Sequence, residues 1–435
     1  MRQKGFSRDF ILVVIGQIIS LTGNAALRFA LPLYLLNLTG SSALYGTVMA
    51  CAFLPSIALS PVGGIIADRV NKRTIMVVLD FFTAGVVLVC ALLIGQTDPV
   101  VLVAATMMLL FGIAGAYQPS VQASIPALTD TDSFMAANAV INTVSSLASL
   151  LGPVLGGLLY STYVLTPILY ACAVSFVLSA VMELFIRIPF QKQTAESSLL
   201  KTAAADFSRS IRFIRREKPV IGKVLMVICG INLFLSSMIT VALPYLTTEV
   251  FDLEAALSNR LYSFAEAAMA AGGLTGGICA GIFADRLAVS RQDASPDGVL
   301  SADAAPRRTV SPGLLVIVCA ACMFPVGAAL ILSSSGMINY IVLTLCCFLG
   351  MVCSTLFSVQ MMSFIQAETP QDLIGKVIAV IFTIAMCAQP LGNALYGVLF
   401  ELCRGAEYVV VLFSGVVSLA IAVRTGKVFK ALSEG

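Results

Sequence analysis

The sequence predicts an all-α integral membrane protein with twelve transmembrane helices in two pseudo-symmetric six-helix bundles. Three observations lead to this fold class: very few charged residues, twelve long apolar segments, and a motif that recurs in the second half. Of the 435 residues, 59% are hydrophobic and 11% are charged. A soluble domain usually carries about 25% charged residues, so this chain could not cover a water-exposed surface.

Each apolar segment is long enough to cross a bilayer, whose hydrocarbon core of about 30 Å requires about 20 apolar residues per helix. The twelve segments are residues 10–36, 43–66, 74–95, 99–127, 134–160, 165–189, 219–248, 260–287, 312–334, 337–367, 374–402 and 407–425.

The basic residues gather in alternate connections between these segments. Arg2, Lys4 and Arg8 precede the first segment, and the stretch between the sixth and seventh segments is strongly basic. Cytoplasmic loops of membrane proteins carry the excess of Lys and Arg. We therefore predict a multi-pass protein of the plasma (bacterial inner) membrane with both termini in the cytoplasm.

The chain divides into two similar halves. Residues 1–189 are predicted to form an N-terminal six-helix bundle, 190–218 a basic cytoplasmic linker with an amphipathic helix, and 219–428 a C-terminal six-helix bundle, with a disordered cytoplasmic loop at 288–312. The sequence around Asp68-Arg69 recurs at Asp285-Arg286. Duplicated six-helix units are typical of transporters whose site lies between the halves.

The motif Gly64-Ile-Ile-Ala-Asp68-Arg69, followed by Lys72-Arg73, resembles the cytoplasmic signature of the major facilitator superfamily. Gly152-Pro153-Val-Leu-Gly156 resembles the end of that superfamily's antiporter motif. The stretches 31–41 and 119–126 are similar to its macrolide-efflux-like, drug:proton antiporter subgroup. The resemblance covers about residues 10–425 and implies the major facilitator fold, alternating access and proton-coupled export.

The resemblance also implies roles for individual residues. A gating role on the cytoplasmic side is carried to Gly64, Asp68, Arg69, Arg73, Asp80, Asp285 and Arg286. Asn71 stands where the family has a second glycine and is expected to tolerate left-handed backbone. Small residues at four-residue spacing allow helices to approach closely; with the antiporter motif, this predicts helix packing at Gly152, Pro153, Gly156, Gly273 and Gly277.

Polar side chains recur on single faces of several apolar segments. Such residues usually face a cavity or a partner helix, and in the superfamily segments one, four, seven and ten line the cavity. The predicted substrate cavity comprises Gln17, Asn24, Arg28, Gln118, Gln122, Asn142, Asn232, Ser236, Gln360, Gln389 and Asn393. The alternative is that these amides only join helices by hydrogen bonds, worth about 0.6 kcal/mol each.

Two charged residues inside apolar segments suggest ion coupling. We predict that Glu266 takes up the proton and that Arg28 is its partner or an anion-binding group. The alternatives are a static pair, or a Glu266 close enough to the surface to be hydrated. Glu183, near the end of the sixth segment, is expected to extend towards the membrane surface.

The functional prediction is a secondary active transporter that exports a small amphipathic molecule by proton-coupled antiport. The expected partners are the small-molecule substrate, protons and membrane lipids, with no nucleic acid and a monomeric state. The chain has no histidine, and we expect no metal, no cofactor and no enzymatic activity. The alternatives are an uptake facilitator for a nutrient, a lipid or lysophospholipid flippase, and a non-transporting membrane sensor.

Overall fold

Twelve helices in the described residues are long and apolar enough to cross a membrane. The computed structural model describes residues 7–129, 134–163, 165–188, 207–282, 311–370 and 373–433. The predicted fold class is confirmed. The helices are α1 Arg8–Thr39, α2 Ser42–Arg69, α3 Lys72–Leu93, α4 Pro99–Leu128, α5 Phe134–Tyr163, α6 Leu165–Glu183, α7 Pro219–Val250, α8 Ala255–Ile282, α9 Pro312–Leu332, α10 Gly336–Glu368, α11 Ile374–Leu402 and α12 Glu407–Ser433.

Short polar side chains begin several of these helices. The Ser7 hydroxyl accepts from the backbone N–H of Phe10 at 3.1 Å, and Asp98 accepts from the first turn of α4. These caps satisfy N–H groups that have no partner within the helix. Asn71 does the same for α3, accepting from the Arg73 N–H at 3.0 Å with a φ of −58°. Asn71 therefore acts as an N-cap here and does not use the left-handed backbone that it could tolerate.

Helix α7 is irregular. It contains two π-helical turns, Asn232–Ser236 and Leu246–Val250. The wider first turn leaves the Asn232 carbonyl to accept from the Ser237 hydroxyl at 2.7 Å. Hydropathy predicts a helix here but does not predict a π turn, because one extra residue per turn leaves the composition unchanged.

The helix predicted in the basic linker is present where the linker is described. Residues 207–212 are helical, and a π-helical turn follows at Phe213–Glu217. The rest of the linker and the predicted loop at 288–312, up to residue 310, lie outside the described residues.

The chain divides into two compact units. The first contains Met1–Leu199, Leu243–Ala267 and Asn393–Glu401; the second contains Leu200–Ala242, Ala268–Gly392 and Leu402–Gly435. The first unit therefore holds α1–α6 together with the end of α7, the start of α8 and part of α11. The predicted domain boundaries at 189 and 219 stay a prediction.

In the first unit, glycines bring α5 against α1. A Cβ on Gly152 would lie 2.2 Å from the Cβ of Ala25, and one on Gly156 would lie 3.1 Å from the Ala26 carbonyl oxygen. Pro153, inside α5, is half-buried. Only glycine permits this separation between the two backbones.

In the second unit, the glycines that pack closely are not the predicted ones. A Cβ on Gly277 would meet nothing within 4 Å, and one on Gly273 would make ordinary contacts at 3.8 Å. Gly272 and Gly276 instead face the α10 backbone, where a Cβ would lie 2.6 Å and 2.7 Å from carbonyl oxygens. Paired glycines offer two stripes one residue apart, and the sequence does not tell which one meets a neighbour.

These adjacent glycines give a matched test. We expect Gly276→Ala to lower the Tm of the purified protein, because overpacking costs about 1–3 kcal/mol. We expect Gly277→Ala to leave it unchanged or to raise it, since alanine favours the helix by up to about 1 kcal/mol. Equal Tm values for the two variants would contradict this packing.

Candidate functional site

A polar cavity of about 400 Å³ lies within the first unit. Its walls come from α1, α2, α3, α4 and α6, and the lining is mixed, with amide, hydroxyl and charged groups beside apolar side chains. Small-molecule sites commonly occupy 300–1,000 Å³ with a few polar groups in an apolar wall. The lining residues used below are Ser20, Asn24, Arg28, Asp80, Thr83, Tyr117, Gln118 and Gln122.

Four of the predicted cavity residues line this space: Asn24, Arg28, Gln118 and Gln122. Gln17 is fully buried, and its amide donates to the hydroxyl of Tyr117, a lining residue, at 2.8 Å. Because α1 and α4 are regular helices at these positions, residues at helical spacing share one face of each helix.

The guanidinium of Arg28 lies over the ring of Phe111, with Cζ 3.8 Å from the ring centroid. An aromatic face stabilises a cation by about 2 kcal/mol when both are desolvated. The Arg28 Nε is buried without a hydrogen-bond partner. Among the described residues Arg28 and Glu266 form no ion pair, and the coupling role of both stays a prediction.

Two buried carboxylates lie next to this cavity, Asp80 on α3 and Glu183 at the end of α6. Asp80 is 2% exposed and Glu183 is 0% exposed. The Tyr117 hydroxyl donates to Glu183 Oε1 at 2.8 Å, and the Ser20 hydroxyl donates to Asp80 Oδ1 at 3.0 Å. The two carboxylates are close enough to interact electrostatically.

These carboxylates differ from what the sequence predicts. Glu183 does not extend to the surface; it is enclosed and bonded to Tyr117. Asp80, assigned to gating, lines the cavity. Sequence reasoning missed Tyr117, Ser20 and Glu183 as members of one cluster. A carboxylate inside an apolar segment can be recognised from the sequence as a candidate functional residue. Nothing in the sequence shows which helices face each other.

The other predicted cavity residues lie elsewhere. Asn142 is on an exposed face of α5 and does not line this cavity. In the second unit, the Asn232 amide donates to the Ala385 carbonyl at 3.0 Å, and the Gln389 carbonyl accepts from Ser237. Ser236 is half-buried there and Gln360 is buried. Asn393, in the first unit, is fully buried.

Besides Asp80, the gating residue Arg73 makes a described side-chain contact. Its guanidinium donates to the Leu184 carbonyl next to α6, where a cation is favourable because the helix ends in unpaired carbonyls. Gly64, Asp68 and Arg69 lie in the last turns of α2, where the structure describes the backbone only. Asp285 and Arg286 lie outside the described residues.

Comparison with known proteins identifies the family. The sequence profile of the Major Facilitator Superfamily matches residues 13–393. The chain belongs to this superfamily. Its members are transporters, not enzymes, and the protein is a multi-pass membrane transporter.

Individual superfamily relatives are distant. Macrolide efflux protein A of Streptococcus pyogenes is 22% identical over 276 residues, which cover 63% of this chain and 66% of the relative, just under two thirds of its length. Multidrug resistance protein MdtG of Escherichia coli is 30% identical over 200 residues, 45% of this chain and 48% of MdtG. The structure of nucleoside transporter NupG shares the fold, with a TM-score of 0.73 at 12% identity over 98% of this chain and 100% of that one.

The first unit of this superfamily member is tightly packed where α1 connects to α2, a region we call the α1–α2 end (residues 37–46 with 255–266 and 393–401). Glycine backbones meet there: a Cβ on Gly46 would lie 2.3 Å from the Asn393 carbonyl oxygen and 2.8 Å from the Gly397 Cα. Glu401 accepts from Ser41 at 3.0 Å, and Asn37 donates to Asn259 at 3.0 Å.

Glu266 belongs to the α1–α2 end. It accepts from the Tyr262 hydroxyl at 3.3 Å, and Tyr262 is hydrogen-bonded to Tyr45. Tyr262 also stacks on Phe29, with ring centroids 4.6 Å apart. Glu266 is thus held among tyrosines rather than beside a cation.

The α1–α2 end provides the second prediction. We expect Gly46→Ala to separate α2 from α11, because its methyl group has no room, and so to speed amide hydrogen exchange in the first turns of α2. Gly85→Ala is the control, since a Cβ on Gly85 meets nothing within 4 Å. Exchange in residues 42–50 that is equally slow in both variants, measured by mass spectrometry, would refute the close contact.

Proposed function

We propose that this protein exports small amphipathic molecules by alternating access, in exchange for protons. The observation that carries the proposal is the cavity of about 400 Å³ within the first unit, with its polar and charged lining groups. Polar groups within a membrane are costly and are usually found where they serve a substrate or ion.

The cavity chemistry suits an amphipathic cargo. Asn24, Gln118 and Gln122 offer amide donors and acceptors, while Leu21, Ile113 and Phe176 supply apolar contact. Arg28 is held against Phe111, so its remaining donors are oriented without further loss of side-chain freedom. The relatives named for macrolide efflux and for multidrug resistance support export of this class of compound.

Alternating access requires contacts that can open and close at each end of the protein. The α1–α2 end has such contacts, because polar pairs and glycine backbone contacts can separate without exposing a large apolar core. We propose that it is the non-cytoplasmic gate, and that the gating residues Gly64, Asp68, Arg69, Arg73, Asp285 and Arg286 act on the cytoplasmic side. This assignment places both termini in the cytoplasm of a bacterial cell, with the protein acting as a monomer among membrane lipids.

The third prediction tests export directly. The purified protein is reconstituted into liposomes, and the liposomes are loaded with ethidium or radiolabelled erythromycin. The flux of that compound across the membrane is measured with and without an imposed pH gradient. We expect the gradient to drive flux, and Gln118→Ala or Arg28→Ala to reduce it about tenfold, the effect of losing about 1.4 kcal/mol of binding.

Gln96→Ala is the matched control, because Gln96 is exposed and bonds only to the Leu92 carbonyl of its own turn. Its flux should equal that of the parent protein. Flux that ignores the pH gradient would remove proton exchange from the proposal, and flux unaffected by the cavity variants would remove the cavity.

A further inference from the structure

We infer that Asp80 and Glu183 form a proton-binding site, in which the two carboxylates hold one proton beside the cavity of the first unit. Nothing in the motif pattern assigns this role to them. The inference deepens the proposed function and rests on it only for the link between the proton and transport. The evidence is the geometry of the cluster formed by Gln17, Ser20, Asp80, Tyr117, Ser179 and Glu183.

The two carboxylates have too few hydrogen-bond donors around them. Tyr117 gives its one hydroxyl hydrogen to Glu183, and Ser20 gives its one to Asp80. Ser179 is within reach of Asp80, but its hydroxyl donates to the Gly16 carbonyl at 3.1 Å. Asp80 Oδ2 and Glu183 Oε2 are consequently buried without a partner. One bound proton removes the charge from one of these two uncompensated carboxylates.

The charges of the two carboxylates are not balanced by a neighbouring cation in the described part of the chain. Two ionised carboxylates in a low-dielectric interior repel each other strongly, and such pairs retain a proton. No Lys or Arg in the described part of the chain forms an ion pair with either carboxylate. The charged or titratable groups that face the pair are Tyr117, a donor to Glu183, and Arg28, on the wall of the cavity; Arg73 binds the neighbouring Leu184 carbonyl.

The carboxylate pair can be reached from the cavity. Asp80 and Tyr117 both line the cavity, so a proton can pass between cavity water and the pair. On arrival it bonds to a carboxylate oxygen, and on departure it returns to water, leaving the pair with one more negative charge. The fully buried Gln17 amide has an unpartnered Oε1 and donates to the Tyr117 hydroxyl. It fixes the tyrosine so that the tyrosine hydrogen points to Glu183.

A proton fits this site better than a metal cation. Transporters bind sodium with backbone carbonyls from unwound helices, whereas α1, α3 and α4 are helical at Ser20, Asp80 and Tyr117.

Infrared difference spectroscopy of the purified protein in lipid, between neutral and alkaline pH, tests the site without any cargo. We expect a protonated carboxyl C=O band at neutral pH that disappears in the Asp80→Asn/Glu183→Gln double variant. Glu266→Gln is the matched control and should keep the band. Tyr117→Phe should shift it, because the donor to Glu183 is lost.

The absence of the band in the parent protein would overturn the site, as would its survival in the double variant or its loss in Glu266→Gln. Size-exclusion chromatography shows whether each variant is folded, and the single variants Asp80→Asn and Glu183→Gln serve if the double variant is not. Repeating the titration with sodium chloride replaced by choline chloride separates the proton from sodium: a band that depends on sodium would also overturn the proposal. A band without pH-driven flux in proteoliposomes would leave the site intact and refute only its link to transport.

Discussion

The cost of placing charge in a low-dielectric interior governs the first unit. Away from water, a charged group requires compensation from a neighbouring helix. Arg28 finds it on the face of Phe111, and Glu183 finds it in the hydroxyl of Tyr117. These contacts join α1, α4 and α6, and the Ser20–Asp80 bond adds α3. The charged groups thus specify how four helices face one another, which apolar packing alone would leave less well defined.

The same unit contains a second region with different chemistry. At the α1–α2 end, helices approach through glycine backbones, and the polar contacts are neutral amides, hydroxyls and the carboxylates of Glu266 and Glu401. The cavity cluster is enclosed and incompletely satisfied, whereas Glu266 is held in a chain of two tyrosine hydroxyls. An incompletely satisfied cluster can gain from a ligand, since a bound group supplies missing hydrogen bonds. A region held by backbone contact can only close or open.

The sequence predicts the twelve helices well, because a span of about 20 apolar residues has few other outcomes. It also predicts which residues share a face within one regular helix, as with Asn24 and Arg28. It does not predict which helix lies opposite that face. The sequence is as consistent with an Arg28–Glu266 pair as with contact between Arg28 and Phe111. It also does not distinguish the stripe of Gly273 and Gly277 from that of Gly272 and Gly276. Local irregularities such as the π turn at Asn232–Ser236 leave no trace in composition.

The contrast between Glu183 and Glu266 shows why burial in an apolar segment is insufficient to identify an ion site. Both accept a hydrogen bond from a tyrosine, and both lie in membrane-spanning helices. Glu183 interacts with a second carboxylate, and its partner Tyr117 lines the cavity. Glu266 has no acidic neighbour among the described residues and no place in that cavity wall. A proton bound at Glu266 would relieve no repulsion from a second acid. The proposed proton on the Asp80–Glu183 pair would remove one buried charge, and this effect depends on the protein keeping α3 and α6 together.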